Sequence, residues 1–300
     1  MRERDRTVTE QDLAQAFEGQ RTHLRAVAYR MLGSLVEADD VVQEAWLRYR
    51  RADTSSVENL RGWLTTVVAR LCLDALRSRR ARKEELMGFT VPDMLISGTG
   101  GPDPEQQALL ADSVGIAMLV VLEKLTPPER LAFVLHDVFG MSFDEIAPIV
   151  DRSALAARQL ASRARRRVRG SNLESDVDLS GQRRIVDAFL AAGRDGDLGA
   201  LIRMLDPDAV VRADYGPKLA AASVEAHGAE TVAAQALLFR RFAPGARPAM
   251  VNGTAGLVVF TGDRPYAVLA FTLRNERIVE IDILADPDRL ARLDFSVLDA

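Results

Sequence analysis

Over the first 170 positions, apolar residues recur at the three- and four-residue spacing of helix faces; beyond them this spacing partly gives way to the alternation of strands. Leu24, Val27, Ala28, Met31 and Leu32 make one stripe; Val42, Ala45, Trp46 and Tyr49 make a second; Leu64, Val67, Val68 and Leu71 make a third. A polar loop, RADTSSVENLRG, separates the last two. Pro92, the run Ser97 to Pro102 and Pro104 mark Lys83 to Gln107 as a linker. Helical periodicity returns from Ala108 to Arg169, with Leu131, Val134, Leu135 and Val138 on one stripe. Thr126-Pro127-Pro128-Glu129 predicts a capped helix start, and Ser142-Phe143-Asp144-Glu145 a capping box. Pro148 lacks a backbone donor, so the helix holding it is expected to be short or bent.

The two stripes that follow are close together. Phe143, Ile146, Ala147 and Val150 form one, and Ala157, Leu160, Ala161, Ala164 and Val168 the other, with Asp151-Arg152-Ser153 between them. On the second segment Arg158, Ser162, Arg165, Arg166 and Arg169 share the opposite face, and Arg152 to Arg169 contains seven arginines and no acid after Asp151. Two short helices joined by a tight polar turn, the second basic, predict a helix-turn-helix facing phosphate. An ordinary solvated basic helix is the competing reading of this segment alone.

The last third reads differently. Helices are expected at Gln182–Ala192, Leu198–Leu205 and Ala229–Phe242, with strands at Ala209–Ala213, Met250–Asn252, Leu257–Thr261, Tyr266–Arg274 and Arg277–Leu284. Asn275-Glu276 marks a turn between the last two. This order predicts an α+β domain with helices covering a curved sheet.

Charge sharpens the division. Residues 1–170 hold 25 basic and 24 acidic side chains and residues 171–300 hold 14 and 19, within a chain of net charge −4. A single cysteine, Cys72, excludes an internal disulfide and a cysteine-based zinc site. His23, His136 and His227 lie far apart in sequence, so no metal and no cofactor is expected. The start, MRERDRTVTEQDL, has no apolar core of a signal peptide, and the run Ile116–Leu122 is too short to span a bilayer. A cytoplasmic protein without membrane partners is expected.

Several stretches carry a resemblance. Asp39-Asp40-Val-Val-Gln43-Glu44-Ala-Trp46, Arg61-Gly62-Trp63-Leu64, Asp74-Ala-Leu-Arg77 and LTPPERLAFVLHDVFGMSFDEIA closely resemble the extracytoplasmic-function (group IV) sigma factors of bacterial RNA polymerase. Residues 180–300 resemble, in layout, a SnoaL-like domain of the NTF2-like cone fold, and the combination is similar to the SigJ type, in which such an extension is fused to the sigma core. The resemblance implies a region 2 bundle at 10–82, a linker at 83–107, a region 4 helix-turn-helix at 108–170 and a SnoaL-like domain at 179–300. It implies two all-α domains followed by an α+β cone domain. The implied activity is transcription initiation: binding RNA polymerase core through its β′ and β subunits and opening promoter DNA. The fused domain is expected to modulate this, and a separate anti-sigma factor is compatible but not required.

The implied sites follow residue by residue. Asp40, Gln43, Glu44 and Leu47 would meet the β′ clamp, an acidic, partly apolar face suited to a basic partner helix. Asn59, Arg61, Trp63, Arg70, Arg77 and Arg80 would hold the melting −10 element, with Asp53–Asn59 as a base pocket, although Trp63, next to Leu64, reads more readily as core than as a base-stacking residue. Arg158, Gln159 and Ser162 would reach base edges of the −35 element, Ser153 at the helix start would fit a phosphate, and Arg163, Arg165, Arg166 and Arg167 would contact phosphates. Members of this type carry short signatures in the linker and extension. The counterparts here are Thr90-Val91-Pro92-Asp93-Met94, a poor match, Asp214-Tyr215-Gly216-Pro217-Lys218, a partial one, and Asp286-Pro287-Asp288-Arg289-Leu290, a close one. Asp214, Gly216, Lys218, Asp286, Pro287 and Asp288 are the candidate regulatory contacts.

Two alternatives stay open. The last domain would be a small-molecule sensor or enzyme if Asp214, Lys218 and His227 converge in a pocket lined by PYAVLAF. A simple helix-turn-helix repressor would leave the clamp-like helix and the Arg61–Arg82 block without a role.

Overall fold

A computed structural model describes residues 10–53, 57–83, 90–98, 116–170 and 176–298. The middle of the Asp53–Asn59 loop (54–56), most of the Gly/Pro-rich linker and the stretch 171–175 lie outside the described residues. So do the side chains at 80–83, Arg80 among them, and at 169–170. Packing divides the chain into two units, Met1–Arg82 with Leu125–Arg166, and Lys83–Lys124 with Arg167–Ala300.

The first unit is all helical. Helices α1 (Glu10–Leu32), α2 (Leu35–Arg51) and α3 (Leu60–Lys83) bury the stripes read from the sequence, with Leu24, Val27, Met31, Val42, Ala45, Leu64 and Val68 almost wholly inaccessible. The rest of the unit comprises α5 (Pro127–Phe133), a π turn at Val134–Val138, α6 (Phe143–Val150) and the basic helix α7 (Ala154–Gly170). The expected capping boxes form: Glu129 accepts the Thr126 N–H at 3.1 Å and Glu145 the Ser142 N–H at 3.0 Å. Helix α6 is short, with Pro148 inside it, and it stops at Asp151, whose φ of 55° turns the chain. Buried Arg130 joins the segments of this unit, its guanidinium donating to the Arg30 carbonyl at 3.2 and 3.1 Å. Phe139 lies against Arg30, 5.3 Å from guanidinium to ring centroid, and edge-on to His23. Cys72 is buried here, and burial pushes its thiol up.

The second unit is α+β with a mixed sheet. Its strands are β1 (Ile96–Ser97), β2 (Leu205–Asp214), β3 (Val224–His227), β4 (Ala246–Val251), β5 (Thr254–Thr261), β6 (Arg264–Arg274) and β7 (Arg277–Leu284). Their order is β1-β4-β5-β6-β7-β2-β3, antiparallel except that β2 runs parallel to β7. Helices α8 (Leu179–Asp195), α9 (Leu198–Met204) and α10 (Ala229–Leu238) pack on the inner face, where Val186, Phe189, Leu201, Val232, Phe271 and Ile281 share one core. Helix α4 (Ile116–Glu123) packs against β6.

Period-two alternation gives the sheet two distinct faces. Val211 and Ala213 on β2, and Ile281 and Ile283 on β7, face the inner side. Arg212, Asp214, Glu280 and Asp282 occupy the intervening positions. There Arg212 contacts Asp282 at 3.1 Å and Glu280 at 3.2 Å. Burial outweighs Arg212 and pushes the Asp282 carboxyl up to about 6.

Three expectations need correction. Asn252 was read as strand, but with Gly253 it forms the β4–β5 turn, at φ of 49° and 80°, the conformation an Asn-Gly hairpin favours. The predicted helix Ala229–Phe242 ends at Leu238 and continues as a 3₁₀ stretch, Arg240–Gly245, which contains Pro244. Strands β1 and β3 were not anticipated, and β2 is longer than Ala209–Ala213.

Gly216 closes tightly on the end of this sheet. It sits at φ of 78°, and a Cβ there would overlap the Asp286 carboxylate. Gly216→Ala is therefore expected to destabilise the α+β unit by about 1–3 kcal/mol, read as a lowered denaturant midpoint of the full chain.

Candidate functional site

On α2, Asp40, Gln43 and Glu44 are exposed and Leu47 is half-buried beside them. Trp46 turns inward, with its ring centroid 5.2 Å from Phe17 and 6.1 Å from Tyr49. Glu44 pairs with Arg48 at 3.0 Å, an exposed one-turn contact that stabilises little. The face is acidic at its centre and apolar at its edge.

The start of α3 uses part of the candidate −10 set for its own structure. Asn59 Oδ1 accepts the Gly62 N–H at 3.0 Å, so the side chain caps the helix and its NH₂ end is what remains for a base. Trp63 is half-buried, 6.1 Å from the Tyr49 ring. Arg61, Arg70 and Arg77 are exposed, whereas Arg79 turns back to the Leu32 carbonyl and Glu37. Arg61 also donates to His23 Nδ1 at 3.0 Å. A guanidinium only donates, so Nδ1 accepts and the ring proton sits on Nε2, 3.1 Å from Thr65 Oγ1. Burial first, then the charges of Arg61 and Arg30, push His23 down to about 4.

The basic helix α7 begins with Ser153 as cap, its hydroxyl accepting the Ala156 N–H at 3.2 Å. Arg158, Gln159, Ser162, Arg163 and Arg166 are exposed, and the Arg158 guanidinium lies 5.4 Å over the Phe143 ring. Arg163 and half-buried Arg165 are paired with Glu129 at 3.4 Å and Asp137 at 2.8 Å. Those two arginines must exchange a carboxylate for any phosphate they bind. Leu155, 66 % exposed in the first turn of the helix, is an apolar residue not read from the sequence, and its side chain suits a thymine methyl.

A second constellation lies wholly within the α+β unit. Asp214 is buried at the end of β2: Oδ2 accepts the Val91 N–H at 2.9 Å and Arg289 Nη1 at 2.9 Å, and Oδ1 accepts the Gly216 N–H at 2.9 Å. Arg289 lies on α11 (Pro287–Leu290), a short helix capped by Asp286. Its remaining nitrogens reach Asp93 Oδ1 and the Val91 carbonyl, each at 2.6 Å. Four residues on, Asn252 Oδ1 accepts the Leu95 N–H and the Asn252 N–H donates to the Leu95 carbonyl, both at 2.8 Å. Ile96 and Ser97 then pair with Val251 and Met250 as the edge strand β1. The linker segment Val91–Ser97 is thus held by the part-buried Arg289 guanidinium, the Asp214 carboxylate, the Asn252 amide and a strand pairing.

Of the candidate regulatory residues, Asp214, Gly216 and Asp286 stand together at this clasp. Lys218 and Asp288 form an exposed pair beside it at 2.6 Å, and Pro287 starts α11. Arg289, Asp93 and Asn252 had not been singled out. The signal for Arg289 and Asp93 was the signature stretches in which they stand; for Asn252 it was the Asn252-Gly253 turn.

The inner face of the sheet encloses an apolar cavity of about 140 Å³. Tyr266, Ala267 and Leu269 of PYAVLAF line it as expected. Asp214, Lys218 and His227 do not converge there: Asp214 is in the clasp, Lys218 is on Asp288, and exposed His227 is 3.5 Å from Glu225. The strand period explains this, since Asp214 occupies the position between the inward-facing Ala213 and Tyr215. Among the described residues no group of three or more ligating side chains stands ready for a metal, and no helix is long and apolar enough to cross a membrane.

Residues 17–82 match the family model of sigma-70 region 2, and residues 116–168 that of sigma-70 region 4. The chain is 39% identical over 287 residues to the ECF RNA polymerase sigma factor SigJ of Mycobacterium tuberculosis, covering 91% of each chain. It belongs to the extracytoplasmic-function sigma factors. A probable ECF sigma factor SigI of the same species is 34% identical over 281 residues, 92% of this chain and 93% of that one. The crystal structure of M. tuberculosis SigJ superposes with a TM-score of 0.73 at 33% identity, over 93% of this chain and 98% of that chain. A sigma factor directs RNA polymerase to specific promoters by binding alone, and is not an enzyme. In this sigma factor the region 4 match begins at α4, the helix that packs on β6 of the α+β unit.

His23 gives the helical unit a pH signature. Its folded-state pKa lies below the unfolded value near 6.5, so its contribution to stability is complete above pH 6.5 and is lost as pH falls toward about 4. The denaturation midpoint is expected to drop over that window in the wild type and to drop less in His23→Gln.

Proposed function

We propose that this sigma factor, which directs RNA polymerase to specific promoters, carries its own regulator in the fused α+β domain. The observation that carries the proposal is the clasp of Arg289 and Asp214 on Val91 and Asp93. Freed, the 32 residues 84–115 between α3 and α4 span up to about 110 Å. With the segment from Val91 onward docked, the six residues 84–89 after α3 span about 20 Å at most. Promoter elements 25 base pairs apart lie about 85 Å apart along B-DNA. Docking therefore takes Val91–Ser97 out of the free length between regions 2 and 4, and release returns it. The Arg130–Arg30 and Phe139 contacts, which hold the helix-turn-helix segment within the α1–α3 unit, support the same reading of a closed resting form.

Within that reading, Asp40, Gln43, Glu44 and Leu47 dock on the polymerase β′ clamp; their exposure and acidity support this. Arg158, Gln159, Ser162 and Leu155 read the −35 element, while Ser153, Arg163, Arg165 and Arg166 serve its backbone. Arg61, Trp63, Arg70, Arg77, Arg80 and the NH₂ end of Asn59 attend the −10 element. Helices on one face of a curved mixed sheet around a cavity support the NTF2-like, SnoaL-like identity of the last domain. No carboxylate or imidazole lines that cavity, which argues against an enzyme there. A tethered regulator makes a separate anti-sigma factor unnecessary.

The clasp is tested by promoter-dependent transcription with purified core polymerase. Arg289→Ala and Asp93→Ala are each expected to raise output several-fold, and Lys218→Ala, at the exposed pair, to leave it unchanged. Output that stays the same or falls in both clasp variants overturns the proposal.

A further inference from the structure

We propose that the inner cavity of the α+β domain binds a small planar aromatic molecule carrying one hydroxyl or carbonyl, and that its occupancy tightens the linker clasp on the other side of the sheet. The second half rests on the regulatory reading above. An engineered apolar cavity of about 150 Å³ binds benzene, and this one is about 140 Å³. Its walls are aliphatic and aromatic, with the Phe242 and Tyr266 rings stacked at 4.3 Å between centroids. Flat rings fit such walls by offset stacking. The polar handle is a pair of phenols, Tyr215 and Tyr266, which both line the cavity. Burial, then Tyr266, pushes Tyr215 up to about 12, so the handle is a neutral donor and acceptor at pH 7. Gln235 and exposed Arg240 are the other polar residues of the lining.

Coupling follows from adjacency along the backbone. Tyr215 lines the cavity, and its neighbour Asp214 holds Val91 and Arg289. Ala285 lines the cavity, and its neighbour Asp286 caps the helix bearing Arg289. The Ala285 N–H donates to the Asp214 carbonyl at 2.8 Å, tying the two stretches together. A ligand that fixes the Tyr215 ring fixes the peptide that orients Asp214, which is the differential interaction a shifted equilibrium requires. By linkage, loosening the linker must weaken the ligand by the same factor.

Phenol, with benzene as the apolar control, is the probe, read by saturation-transfer NMR titration of the full chain. Phenol is expected to bind, and Ala236→Phe, which fills the cavity from α10, to abolish both probes. Tyr266→Phe, a smaller change that keeps the ring, is expected to weaken phenol about fivefold and leave benzene unchanged. Asp93→Ala, on the linker and outside the cavity, is expected to weaken phenol at least fivefold. Absence of phenol binding, or phenol binding unaltered by both cavity variants, overturns the site. Phenol binding unaltered by Asp93→Ala overturns the coupling. Neither failure touches the transcription of Arg289→Ala, which tests the regulatory reading by itself.

Discussion

Charge removed from water must be paired, and in this chain that constraint falls hardest on Asp214 and Arg289. Asp214 is 5% exposed at its side chain and Arg289 19%, and between them they hold Val91 and Asp93. Removing one member of a buried pair costs about 3–5 kcal/mol, because the other is left without a partner. The linker supplies part of that satisfaction: the Val91 N–H and carbonyl and the Asp93 carboxylate complete the coordination of both charges. Sheet domain and linker therefore stabilise one another. The exposed Lys218–Asp288 pair beside them has no such leverage, since water screens both groups.

The two-faced sheet turns this local constraint into an arrangement with functional consequences. Alternation along β2 and β7 sends apolar residues inward to the cavity and charged ones outward, where Arg212 is matched by Asp282 and Glu280. The linker's edge strand extends the sheet by backbone pairing with β4, a form of strand addition that asks little of side-chain identity. Region 4 begins on α4, which packs on β6, so the sheet meets the chain both before and within the second promoter-reading region.

How much of this was legible depended on the length scale of each signal. Helix stripes of α1 to α3 and the helix-turn-helix were readable because burial repeats over many residues, as Leu24 to Leu32 and Ala157 to Val168 illustrate. Strand β7 was read to its ends, Arg277 and Leu284, since alternation and the following turn both marked it. β1 was not, because two residues carry no periodicity, and β1 exists only through its partner strand. Asn252 looked like a strand end until its positive φ and its bonds to Leu95 were seen. Arg289 and Asp93 stood inside signature stretches, so their neighbourhood was legible, but their mutual pairing was not, because it spans nearly two hundred positions. The recognition helix showed the converse. Its arginines were all legible, yet which of them are engaged with Glu129 and Asp137 depends on tertiary pairing.

Asp214 and Arg289 dock the linker on the sheet domain in the resting sigma factor. Amide hydrogen exchange at Val91 and Leu95 in the full-length chain tests this most directly, because both N–H groups donate to side chains of the sheet domain. Slow exchange is expected at both positions in the wild type, and much faster exchange at Val91 in Asp214→Asn while the amides of β6 stay protected. Exchange of Val91 and Leu95 at the rate of an open chain in the wild type would contradict this docking.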